Sequence, residues 1–221
     1  VDFYDLNGKL MYDLTEDGKL FLNFFVSSDH MASSAAKDPD YDWKNNAFSL
    51  EYLQSLGDKF MLTTSFSRSF FNAYMDPKGY NDKIKSESEI SNVFFSAKVD
   101  AFLKSRDIVT VGFTFDLPDM EYSMTNSAGY NIFSQGHLSE ASIWAKYKLT
   151  DIYGFTFDFG LRGNLSNILD QPDYFLEPRI SMKYNLDGNY SLKGSYGRYH
   201  QKIFTTSNED DVIPVFETWV P

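Results

Sequence analysis

The side chains able to do chemistry are few and scattered in this sequence. The three histidines, His30, His137 and His200, lie far apart, and the chain contains no cysteine. Carboxylates alternate in segment 38–42, which suits a hard cation such as Ca²⁺, but the glycine and the distal glutamate of an EF-hand loop are missing. No GxxxxGK(S/T), GxSxG or HExxH motif occurs. We therefore expect no enzyme, no catalytic residue, no metal site and no cofactor.

Aromatic side chains are stronger candidates for binding, and they make up 18% of the chain. Eight of them lie in or beside segments that read as long polar loops, where an apolar side chain has little structural duty unless the loop folds on itself. Their faces can bind sugars, macrocycles or peptides. The candidate ligand-binding residues are Tyr41, Trp43, Tyr74, Tyr80, Tyr122, Tyr130, Phe133 and Tyr174. Packing within loops, or an aromatic girdle at a membrane interface, is the alternative that sequence leaves open.

Charge and hydropathy narrow the class of protein. The 20 basic and 31 acidic side chains leave a net charge of −11, which argues against a nucleic-acid partner because phosphate binding requires a basic face. No stretch approaches the 18 or more apolar residues of a spanning helix, and the first residues have no signal-peptide pattern. The mean hydropathy of −0.37 is compatible with a transmembrane barrel, whose alternating strands average out.

Alternation with a period of two recurs along almost the whole chain. In 155–162 the apolar Phe155, Phe157, Phe159 and Leu161 are separated by polar residues or glycine, a pattern that predicts a strand with one apolar face. Ten strands are predicted, at about 2–15, 19–30, 44–56, 59–74, 87–103, 107–118, 137–150, 154–166, 175–186 and 189–201.

The lengths of strands and connections select one architecture. The strands are long enough for the roughly 9–11 residues that a tilted strand needs to cross a bilayer. Short turns alternate with long polar connections, which are predicted at 30–43, 75–86, 118–136, 167–174 and from 202 onward. Outer-membrane barrels have this asymmetry, with short turns on the periplasmic side. The predicted fold is therefore all-β, an antiparallel up-and-down transmembrane β-barrel segment of about ten long strands.

The positions of charged residues predict which face meets lipid, because lysine or arginine on that face costs about 2–4 kcal/mol at the midplane. In 107–118 the apolar residues share odd positions and the polar ones even positions. In the seventh strand Trp144 falls on the charged face, so we expect it to pack in the lumen. In the third, Leu53 shares a face with Glu51, which leaves a bulge or a different register open.

Several runs resemble the barrel strands of TonB-dependent outer-membrane receptors. They are LSEASIWAKY at 138–147, LEPRISMKY at 176–184, SLKGSYGRYHQ at 191–201 and PVFET at 214–218. The resemblance covers about 130–221, and the first half of the chain agrees only in its pattern. SusC-like receptors are among the candidates within this family.

This resemblance implies a 22-stranded barrel around a plug, of which ten strands are a part. Residues 1–221 would belong to one barrel domain, and we expect the chain to continue on both sides, because residue 1 enters a strand almost at once and 219–221 is not a strand with an aromatic terminus. The plug, the box that engages TonB and a signal sequence are absent from this segment. The implied function is ligand-specific, TonB-energised nutrient uptake in the outer membrane of a Gram-negative bacterium. The implied partners are outer-membrane lipid, the TonB system acting through the plug, and a SusD-like surface lipoprotein.

Two other readings stay open at this point. One is a passive porin or a barrel that anchors a surface complex, and the other is a soluble secreted all-β carbohydrate-binding protein or hydrolase. The ligand, whether siderophore, cobalamin, oligosaccharide or peptide, is not specified by the sequence.

Overall fold

A computed structural model shows how these segments pair. It describes residues 1–32, 39–77, 85–103, 106–125, 128–167, 172–187, 190–201, 203–206 and 218–220. Among these residues no helix is both long and apolar enough to cross a bilayer.

Eleven strands form one antiparallel sheet. They are β1 (Asp2–Thr15), β2 (Gly18–Met31), β3 (Asp40–Leu56), β4 (Phe60–Asp76), β5 (Ser86–Phe102), β6 (Ile108–Thr125), β7 (Asn131–His137), β8 (Glu140–Ile152), β9 (Phe155–Ser166), β10 (Asp173–Asp187) and β11 (Tyr190–Gly197). Ten of them pair in chain order, and β7 pairs only with β6. A separate pair, β12 (Phe204–Thr206) and β13 (Thr218–Val220), follows.

The up-and-down order confirms the predicted fold class. Each of the ten predicted strands corresponds to one strand of the main path, with ends that differ by at most four residues except at the end of β6. The turns at 57–59 and 153–154 are tight, and Gly57 and Gly154 take positive φ angles of 69° and 82° that side chains with a Cβ adopt with difficulty. In the described part of the chain β1 and β11 each have a single neighbour, so the sheet is open.

One predicted connection is wrong, the long loop at 118–136. Strand β6 continues to Thr125, and β7 returns along it with a register that runs from Asp119 opposite His137 to Thr125 opposite Asn131. Pro118, which reads as a strand end, lies between the residues of β6 that pair with β8 and those that pair with β7, and its carbonyl accepts a hydrogen bond of 3.0 Å from the Leu138 N–H. This segment is a β-hairpin in which β6 extends past its pairing with β8 and β7 pairs with the extension.

The third strand contains no bulge, which was one of the two possibilities that the sequence left open for Glu51 and Leu53. The pairing of β3 with β4 runs from Asp40 opposite Asp76 to Leu56 opposite Phe60 without a register shift. Leu53 therefore shares a face with Glu51 in a regular strand, and no bulge separates them.

Candidate functional site on the inner wall

The two faces of the sheet differ sharply in polarity. The outer face carries Val111, Phe113 and Ile143, whose side chains are 47%, 45% and 67% exposed. The apolar positions alternate over Val109–Leu117 in β6 and over Phe155–Leu165 in β9, which matches the span that a tilted strand needs in hydrocarbon. An apolar surface of this extent needs apolar surroundings.

The inner face is polar and hydrogen-bonded from strand to strand. Ser65 and Ser96 lie 2.7 Å apart, and the Thr110 hydroxyl donates to Asp100 over 2.6 Å. Between β8 and β9 an ion pair of 3.2 Å joins Arg162 to Glu140. Because such groups are satisfied by one another or by water, this face suits an aqueous lumen.

Trp144 lies on this inner face, as predicted. It is directly opposite Gly112, and a Cβ at that glycine would come within 2.6 Å of the indole ring. The indole ring therefore packs directly over Gly112, where any side chain would clash with it.

The polarity of the faces inverts where the strands pass the apolar band, at the end away from the short turns. In β6 the outer face turns polar with Asp119 and Glu121, while the inner face takes Met120, Tyr122 and Met124. The same change occurs in β3, β4 and β5. The resulting inner patch comprises Tyr41, Trp43, Phe71, Met75, Met120, Tyr122 and Met124.

The register places members of the inner patch side by side on adjacent strands. Trp43 lies opposite Ala73, Ala73 opposite Ser88, and Ser88 opposite Tyr122. The side chains of Ala73 and Ser88 are 0% exposed, so small residues sit between the two aromatic ones. Strand β13 lies against β6 and β7, so the chain after β11 returns to this end of the wall.

The structure separates the eight predicted aromatic residues. Tyr41, Trp43 and Tyr122 lie on the inner face, in strands and not in loops. Tyr74, Phe133 and Tyr174 lie on the outer face, Tyr130 stands 72% exposed directly before β7, and Tyr80 lies outside the described residues. A ligand-binding role for these residues stays a prediction, and the inner three are the ones that share one wall.

Sequence reasoning missed Phe71, Met75, Met120 and Met124, which complete the inner patch. The signal that identifies them is present in the sequence. In 118–125 apolar and polar residues still alternate, but the apolar ones occupy even positions, the opposite of 109–117. Inverted alternation within one strand therefore marks the end of its apolar outer band.

Each histidine has a carboxylate neighbour. His30 Nδ1 lies 2.8 Å from Asp42, His137 Nδ1 lies 2.7 Å from Asp119, and His200 Nδ1 lies 3.6 Å from Glu177. No group of three or more potential metal ligands occurs among the residues that the structure describes. These pairs tie neighbouring strands or segments together.

A carboxylate cluster marks the outer face beyond the apolar band. Glu89 lies opposite Asn72 on β4 and Glu121 on β6. Partial burial, followed by repulsion from Glu121 and Glu87, raises the pKa of the Glu89 carboxyl above its ordinary value.

This raised pKa predicts that Glu89→Gln stabilises the protein at neutral pH. The folded protein holds the Glu89 proton more tightly than the unfolded chain, so the Glu89 contribution to stability is lost as pH rises through the two pKa values. Melting temperatures measured from pH 4 to 8 should fall less steeply with pH in Glu89→Gln than in the wild type. The exposed Asp13→Asn is the matched control, and equal slopes for Glu89→Gln and wild type would contradict the prediction.

Comparison with known proteins identifies the fold. No family model matches the sequence, and no curated protein matches it. A mutant of the ferric enterobactin receptor PfeA from Pseudomonas aeruginosa is similar over 97% of this chain and 34% of its own, with a TM-score of 0.71 and 12% identity. The alcaligin outer membrane receptor FauA from Bordetella pertussis is similar over 93% of this chain and 36% of its own, with a TM-score of 0.72 and 10% identity.

A third similar structure is the siderophore receptor PirA from Pseudomonas aeruginosa, with a TM-score of 0.62 and 12% identity over 98% of this chain and 39% of its own. The chain thus spans about a third of the length of these structures. At such identities the likeness shows the fold. The fold is that of the barrel wall of outer-membrane receptors, which confirms the resemblance seen in the sequence.

Proposed function

We propose that this chain forms part of the barrel of a ligand-specific receptor in the outer membrane of a Gram-negative bacterium, which takes up a nutrient with energy from the TonB system. The observation that carries the proposal is one sheet with an apolar outer band, a polar inner wall and the fold of receptor barrels. A soluble all-β protein is disfavoured, because large side chains such as Phe113 and Ile143 stand exposed across its outer face.

The open edges of the sheet support a larger barrel. Strands β1 and β11 each present one edge without a partner in the described sheet, and unpaired backbone groups are costly in hydrocarbon. We infer that residues 1–221 are one part of a barrel domain that further strands close. A plug from the same polypeptide would fill the lumen and contact TonB.

The inner patch is the proposed contact surface for the ligand. It presents aromatic rings and flexible methionines, which adapt to irregular apolar shapes, on the wall that lies beyond the apolar band. The proposed ligand is a small molecule, a glycan or a peptide. A SusD-like surface lipoprotein, where the ligand is a glycan or peptide, would cover this same end.

Uptake by the full-length protein tests the proposal. We expect a strain that carries the full-length protein to accumulate one member of a panel of ferric siderophores, cobalamin, oligosaccharides and peptides. This accumulation should stop when a protonophore collapses the proton gradient. Trp43→Ala combined with Tyr122→Ala should lower uptake about tenfold or more, since each buried aromatic contact contributes about 1 kcal/mol. The outer-face Tyr74→Ala is the matched control.

Conductance separates the proposal from a passive porin. A plugged receptor should show no steady openings in planar bilayers, whereas a porin conducts without any energy source. Large steady openings of the unmodified protein, together with uptake that survives the protonophore, would contradict the proposed function.

A further inference from the structure

A second feature of the inner wall is a cleft below the inner patch, with a volume of about 380 Å³. Phe25, Phe71 and Ile90 supply apolar walls, and Asn92 and Asp116 supply polar ones. Ile203, from the segment after β11, closes one side. The cleft is thus formed by strands β2 to β6 together with a part of the chain that returns across the inner face.

Two acceptor atoms in this cleft have no hydrogen-bond partner in the described part of the chain. The side-chain oxygens Asn92 Oδ1 and Asp116 Oδ1 are buried and make no hydrogen bond with any residue that the structure describes. Asn92 lies opposite Pro118, and Asp116 lies opposite Phe94, so the two side chains are diagonal neighbours on one face, about 7–8 Å apart at their Cα atoms. A buried acceptor left unpaired is costly, most of all on a carboxylate.

The local charge is also unbalanced. Asp116 lies directly opposite Glu140 on β8, and Arg162 donates to Glu140 over 3.2 Å and to Asn164 over 2.6 Å. No described cation makes an ion pair with Asp116. Among the described residues the Asp116 carboxylate therefore has no counter-ion, whereas Glu140 has Arg162.

We propose that the cleft binds a cationic nitrogen group, a primary ammonium or a guanidinium carried on a short apolar chain. Its N–H groups donate to Asp116 Oδ1 and Asn92 Oδ1, and its methylenes pack on Phe71 and Ile90. A hydroxyl would satisfy the acceptors but leave the charge unbalanced, and an anion would be repelled. The cation belongs either to a soluble ligand or to a lysine or arginine of the same protein inside the lumen.

This inference rests on the proposed function only in that the inner face lines a lumen. Binding at equilibrium requires no energy source, so a protein that fails to transport still reports on the cleft. The failure of one proposal is therefore distinguishable from the failure of the other.

Titration calorimetry on the full-length protein in detergent tests the cleft, with butylguanidinium as the probe and butanol as its neutral control. We expect saturable binding of butylguanidinium, no binding of butanol, and an affinity at least about tenfold lower in Asp116→Asn, because a charge-assisted hydrogen bond is lost. Asn92→Asp should tighten binding of the probe. Glu51→Gln, on the same inner wall outside the cleft, should leave it unchanged.

The melting temperature of the same variants without probe identifies the source of the cation. If a cation from the protein itself already fills the cleft, the probe will not bind. In that case Asp116→Asn lowers the melting temperature, whereas Glu51→Gln does not. Absence of probe binding together with an unchanged or raised melting temperature in Asp116→Asn would overturn the proposal. Equal binding of the probe to the wild type and Asp116→Asn would overturn it as well.

Discussion

Replacement of Phe113 by lysine should keep the full-length protein from assembling into the outer membrane. Phe113 is 45% exposed on the outer face, in the middle of the apolar stretch Val109–Leu117 of β6. It lies opposite Ala97 and Ile143, so no neighbour on this face offers a counter-charge. Lysine at the bilayer midplane costs about 2–4 kcal/mol, a large share of the total stability of a domain.

The matched control places the same lysine on the other face. Ser67 of β4 lies opposite Phe94 and Ser49 on the inner wall, and Ser67→Lys should assemble normally because its charge meets the aqueous lumen. Folded barrel is measured as the band that changes mobility on heating in gels of outer-membrane fractions. Normal assembly of Phe113→Lys with loss of Ser67→Lys would invert our assignment of the two faces.

The strands were predictable because one face of the sheet is apolar and the other polar, so successive residues of a strand have opposite polarity. In β9 the outward Phe155, Phe157, Phe159 and Leu161 leave only polar residues and glycine facing inward, so the period of two is visible without any knowledge of pairing. Short turns contribute a second, local signal. Strand identity and the up-and-down order therefore follow from local sequence.

The hairpin of β6 and β7 was not predictable by the same rule. Beyond the apolar band the polarity of the two faces is reversed, so Asp119 and Glu121 lie on the outer face while Met120 and Tyr122 lie on the inner face. A rule that expects one constant polarity per face reads this inversion as the end of the strand. Pro118 at the point of inversion strengthens that reading.

The candidate sites show the same division between local and long-range information. The aromatic residues could be chosen from the sequence, but their loop-like surroundings do not tell whether Trp43 and Tyr74 share a face, and in the structure they do not. The cleft depends on the diagonal placement of Asn92 and Asp116, which lie on different strands. Sites built across strands become visible only when the register is known.

Gly112→Ala should destabilise the protein strongly for so small a change. A Cβ at this position would lie 2.6 Å from the Trp144 ring and 3.0 Å from the Ala97 carbonyl oxygen. The rigid indole ring and the sheet backbone can move only slightly to make room for it. Forcing a methyl group into a packed contact costs about 1–3 kcal/mol. Urea denaturation of the full-length protein in detergent should therefore show a lower midpoint.

Gly160 provides the comparison, since it also lies on the inner face within a strand, but a Cβ there would meet nothing closer than Arg179 Cβ at 3.6 Å. Gly160→Ala should leave the urea midpoint unchanged or raise it slightly, because alanine restricts the unfolded chain. Gly112→Ala should cost less in the Trp144→Ala background than in the wild type, because the clashing ring is gone and only the contact with the Ala97 carbonyl oxygen remains. An undiminished penalty in the double variant would show that the indole does not rest on Gly112, and that the inner wall packs differently at this point.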